Sequence, residues 1–170
     1  MKCSRRVALI ALLISQALAL SIVESWIPMP VPVPGVKLGL ANIVTLITII
    51  FLGYREALLV LILRCVLSSS FAGGPMVLLF SLSGGLLSTL VMSFLYGKMK
   101  KVFSITGISM AGAVFHNIGQ LAAAAFVMRE PAVFSYLPVL LVSGIVAGFL
   151  IGLCGSLLVR TLAKAGIFLN

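Results

Sequence analysis

The residues with the chemistry to bind or react lie in three places. His116-Asn117-Ile118-Gly119-Gln120 sits inside a long apolar stretch. His116 and Gln120 are four apart and share a helix face, and Asn117 lies about 100° round from His116, so all three can line one cavity. Lipid would leave such groups unpaired, so they should point into the protein, either toward a ligand or toward a neighbouring helix as hydrogen-bond glue. The second place is Pro28 to Asn42, four prolines alternating with apolar residues and then Gly35-Val36-Lys37-Leu38-Gly39-Leu40-Ala41-Asn42. Proline removes backbone donors, so this stretch should be extended and stiff. Lys37, the only charge between Glu24 and Arg55, could hold an anionic group beside Asn42, or snorkel from an ordinary turn. The third is Arg64, in the middle of an apolar run. A guanidinium at the bilayer centre costs at least about 2.5 kcal/mol, so Arg64 should face a ligand cavity or pair within the bundle, with Glu24 one possible partner.

Positioning these groups requires helices. The chain has 170 residues, 62% hydrophobic and 9% charged, with a mean hydropathy of +1.29. That leaves too little polar surface for a water-soluble globule and indicates an all-α integral membrane protein. A span needs about 20 apolar residues, so the length allows six spans in one domain, expected near 7–27, 38–53, 57–71, 76–96, 102–128 and 139–159. Lys2, Arg5, Arg6 and Ala17-Leu18-Ala19 imitate a secretory signal, but the apolar run continues toward Ile27 and suits a retained first span.

The net charge of +9 is a topology signal more than a nucleic-acid patch. With six spans, nine cations (Lys2, Arg5, Arg6, Arg55, Lys98, Lys100, Lys101, Arg160 and Lys164) fall on one side and two, Lys37 and Arg129, on the other. The positive-inside rule then places both termini in the cytoplasm and the proline stretch outside. Two further patterns suit helix packing. Gly144, Gly148 and Gly152 form successive GxxxG spacings, which could serve packing or self-association, and Ala11, Ser15 and Ala19 put small side chains on one face of the first helix.

Absences narrow the chemistry. No GxxxxGK[ST] loop is present for ATP. The acidic residues are Glu24, Glu56 and Glu130, with no Asp, so no aspartate-rich cluster can hold Mg²⁺ for ionising a diphosphate. Cys3, Cys65 and Cys154 lack metal spacing. Neither a metal nor another cofactor is expected, and the catalytic residue set is empty.

Pro34-Gly35-Val36-Lys37-Leu38-Gly39-Leu40-Ala41-Asn42-Ile43 and His116-Asn117-Ile118-Gly119-Gln120-Leu121 resemble the bacterial family called heptaprenyl diphosphate synthase component I, or Gx transporter. That family is similar to the six-helix S components of energy-coupling factor importers. The S-component likeness implies a subunit of the bacterial cytoplasmic membrane that captures a small anionic, isoprenoid or vitamin-like solute through Lys37, Asn42, Arg64, His116, Asn117 and Gln120. Ala11, Ser15 and Ala19 would then face a coupling protein that works with ATPases. The synthase name implies instead a non-catalytic membrane component of a two-component enzyme of menaquinone biosynthesis, partnered by a soluble prenyl synthase.

Overall fold

The computed structural model describes residues 3–27, 39–72 and 74–166. Among them the regular structure is helical throughout: α1 (Cys3–Ser25), α2 (Asn42–Phe51), α3 (Tyr54–Ala72), α4 (Gly74–Met99), α5 (Ile105–Met128), a 3₁₀ turn (Pro131–Tyr136) and α6 (Leu137–Lys164). The boundaries follow local chemistry. Gly53, at φ +105°, closes α2, with the N–H groups of Leu52 and Gly53 both donating to the Thr48 carbonyl at 2.8 and 3.0 Å. Ser104 caps α5 by accepting the Gly107 N–H at 3.1 Å. The Glu130 carboxylate accepts the Ala132 N–H, and Pro131 follows it at the first position of the 3₁₀ turn.

Four helical segments are long and apolar enough to cross a bilayer: Ser4–Ser25, Gly74–Met99, Ile105–Met128 and Pro131–Lys164. Large apolar side chains such as Phe94, Phe126, Val142 and Leu157 stand exposed on them. Water would penalise that surface and lipid does not, so this is a membrane protein. Six spans were expected, and the two that fall outside the four long ones are α2 and α3. With 10 residues α2 is about 15 Å long, half of a hydrocarbon core roughly 30 Å thick. The 19 residues of α3 include Arg55, Glu56 and Arg64.

The short helix is the hub. α1, α3, α4, α5 and α6 all touch α2, while α1 and α6 do not pack on each other. The other five therefore form an open arc, in the order α1, α3, α4, α5, α6, around α2. Val44, Leu46, Ile47 and Ile49 of α2 are buried, together with Asn42, Thr45 and Thr48. Ile47 and Val44 pack with Leu13, Ala17 and Val60, whereas Leu46 and Ile49 pack with Ala57, Met92 and Ile108.

Helices of the arc approach closely through glycine. A Cβ on Gly119 of α5 would lie 2.9 Å from Gly84 Cα of α4. On α6, a Cβ at Gly148 or Gly152 would lie 2.7 Å from the Cα of Met110 or Thr106 on α5. The GxxxG ladder is thus used inside the chain, between α5 and α6, where dispersion between closely spaced backbones replaces the missing hydrophobic drive. Apart from Arg64 and Arg129, the described basic residues gather at one end: Arg6 pairs with Glu56 across α1 and α3, and Arg5 reaches the Gly166 carbonyl at 3.5 Å.

Candidate functional site

A layer of polar side chains crosses the bundle between an apolar cluster near the α5–α6 connection (Phe80, Leu121, Ala124, Val133 and Leu140) and the two clusters around α2. Asn42, Arg64, His116, Asn117 and Gln120 are each at most 4% exposed, so the layer is sealed from both water and lipid. By helical rise they share a depth. Arg64 and His116 each lie about 15 Å along their helices from the basic end, and Asn42 opens the 10-residue α2 that runs toward that end.

Two of the predicted residues, Asn42 and His116, come together at the entrance of α2, and Gln120 joins His116 against α4. Gly39 adopts φ +87°, a conformation that favours glycine, and a Cβ there would lie 2.7 Å from Asn42 Nδ2 and 3.2 Å from His116 Cδ2. Asn42 and His116 are therefore neighbours across this backbone corner. Gly84 of α4 serves His116 and Gln120 in the same way: a Cβ on it would meet the His116 carbonyl oxygen at 2.6 Å and Gln120 Cγ at 2.7 Å. Neither glycine can carry a side chain without moving these polar groups.

Asn117 is turned elsewhere. Its Nδ2 donates to the Leu140 carbonyl of α6 at 2.7 Å and packs against Gly144, which is the helix-glue role for that residue, while its Oδ1 has no partner among the described residues. Arg64 does not pair with Glu24 either. Its Nε and Nη2 are buried without a hydrogen-bond partner among the described residues, and the Glu24 carboxylate accepts the Gly39 N–H. The physical reason is proximity: the chain returns to the end of α1 at Gly39, just before α2, where a buried peptide donor meets the carboxylate first. Glu24 thereby ties α1 to the α2 entrance. Lys37 lies outside the described residues.

Composition did not single out several further members of the layer. Thr45 Oγ1, Ser88 Oγ and Thr89 Oγ1, like Oδ1 and Nδ2 of the predicted Asn42, are buried with no partner among the described residues, and Ser21 and Ser68 bond each other at 3.1 Å. Thr45, three residues after Asn42, carried the only sequence signal, since it falls on the same helix face. Taken together the layer offers a guanidinium, amides and hydroxyls, with its nearest carboxylate committed to Gly39. Such a set favours an anionic or carbonyl-bearing group, because burial leaves donors whose hydrogen bonds only a ligand or water can supply.

A family match places this architecture. The chain belongs to the heptaprenyl diphosphate synthase component I family, whose model matches residues 13–158. No curated protein and no solved structure matches it. The region matched by the component I family holds every described residue of the polar layer, from Ser21 to Asn117 and Gln120. It also covers Ser15 and Ala19. On α1 the Ala11, Ser15 and Ala19 face is exposed, while Leu13 and Ala17 on the opposite side are buried against α2 and α3. Ser15 donates to its own helix, at the Leu12 carbonyl (2.8 Å), so the face presents small, internally satisfied side chains.

Proposed function

We propose that this protein is the non-catalytic membrane component of a two-component heptaprenyl diphosphate synthase, holding a soluble prenyl synthase at the bilayer. The observation that carries this reading is family membership in a chain without Asp whose three glutamates all have other work. Glu24 holds the Gly39 N–H, Glu56 pairs with Arg6, and Glu130 caps the 3₁₀ turn. Ionisation of an allylic diphosphate needs metal-bound carboxylates, which a partner chain would supply. In this reading the protein crosses the bacterial cytoplasmic membrane six times with both termini inside, α2 being a half-length pass. Affinity purification of the tagged full chain from native membranes tests the role. Copurification of an Asp-rich synthase is expected, and recovery of the chain alone overturns it.

A second reading is solute capture for ATP-driven uptake. It is favoured by the sealed polar layer with its unpartnered donors and by the exposed Ala11, Ser15 and Ala19 face. Here Asn42, Arg64, His116 and Gln120, with Lys37 and Asn117, bind a small anionic or amphipathic solute, and α1 docks a coupling protein served by ATPases. Copurification of those proteins in place of a synthase would select this reading. Solute-dependent thermal stabilisation should then disappear in Lys37→Ala and His116→Ala.

A further inference from the structure

Among the apolar grooves along the outside of the bundle, one lies next to a cluster of lysines. The groove between α4 and α5, about 570 Å³, is lined by Leu90, Phe94, Phe103, Ala111 and Phe115 among others. Leu90, Phe94 and Lys98 are spaced by four, so they run in one line along α4, with exposed Lys98 one turn beyond the residues that line the groove. The chain then folds back: the N–H groups of Val102 and Phe103 donate to the Met99 carbonyl at 2.9 and 3.0 Å, which returns Phe103 to the groove and leaves Lys100 and Lys101 beside Lys98. All three lysines are exposed and form no ion pair among the described residues. Among the described residues no carboxylate is available to compensate them, since Glu56 is paired with Arg6, and Glu24 and Glu130 belong to the opposite end.

The other grooves lack this combination. That on α6, from Pro138 to Leu150, is about 690 Å³ and contains no cation, and that beside Phe126 and Phe134 has the single cation Arg129 next to Glu130. An occupant of the α4–α5 groove must therefore join an apolar tail to a head of several negative charges. A phosphodiester carries one charge for three lysines, and a diphosphate carries more. Aromatic walls suit a branched, unsaturated chain.

We propose that this groove binds a polyprenyl diphosphate, tail along Phe94, Phe103 and Phe115 and head on Lys98, Lys100 and Lys101. The proposal rests on the synthase-component reading and gives it a place where the product of the soluble partner can enter the membrane. The site is separate from the sealed polar layer.

The test uses the full chain in phosphatidylcholine nanodiscs with heptaprenyl diphosphate as probe, reading its Kd. Saturable binding is expected, about tenfold weaker in the triple variant Lys98→Gln, Lys100→Gln, Lys101→Gln, and restored by arginine at the three positions. Phe94→Ala, at a side chain 61% exposed and so without risk to the fold, should weaken it several-fold. Inorganic diphosphate should compete poorly because it lacks the tail. Unchanged binding in the triple glutamine variant, or equal competition by phosphatidylglycerol, overturns the groove and in the second case makes it an ordinary lipid site. Copurification of the synthase is measured on the same variants. Loss of the partner from the unmutated chain sinks the synthase reading, whereas a retained partner with unchanged ligand binding sinks only the groove.

Discussion

Arg64 and the Lys98, Lys100 and Lys101 cluster are both cationic and both lack a carboxylate partner among the described residues, yet their surroundings make them opposite devices. Arg64 is sealed at mid-depth, where desolvation makes every missing hydrogen bond costly and any bound anion correspondingly valuable. The lysines stand in water and ions at the bundle end, where each charge is screened and acts by accumulation. A sealed cation can select a ligand, and an exposed cluster can gather one.

The largest expected effect tests whether the polar layer is as close-packed as its geometry indicates. Gly84→Leu should cost about 3 kcal/mol or more, because even its Cβ falls 2.6 Å from the His116 carbonyl; thermal unfolding in detergent measures it. Arg64→Met sharpens the comparison through its sign. Replacing an unpartnered buried charge by an apolar side chain should raise the stability of the ligand-free protein by roughly 1–4 kcal/mol and abolish any stabilisation by anionic solutes. A fall in ligand-free stability would mean that Arg64 is paired after all. Asn117→Ala should lose about 1 kcal/mol with the 2.7 Å bond to the Leu140 carbonyl, loosening α5 from α6, as read by hydrogen exchange in α6. Smallest, Arg6→Ala should cost no more than about 0.5 kcal/mol in denaturant melts, since the Arg6 side chain is half exposed in its pair with Glu56.

Much of this architecture is legible along the chain. The helical character and the count of six α-helices among the described residues match the expectation, and Asn42, Arg64, His116, Asn117 and Gln120 are all buried. The directions they take are less legible. In a soluble helix the apolar stripe marks the core, but α3 and α4 carry apolar side chains on every face, since lipid and neighbouring helices both accept them. His116 and Asn117 are adjacent in sequence, and nothing in their spacing says that one meets Gly39 and the other the Leu140 carbonyl.

By itself the sequence determined a helical membrane protein without carboxylates to spare, and it required every mid-span polar group to point inward, because hydrocarbon offers no hydrogen bonds. Tertiary structure alone decided that the short α2 becomes the centre of the bundle, that Glu24 binds a backbone N–H and leaves Arg64 without a carboxylate partner among the described residues, and that the glycine ladder of α6 is used up against α5. Those outcomes depend on which backbones come within about 3 Å of each other. That is a property of the packed bundle as a whole, and residue spacing along one helix does not contain it.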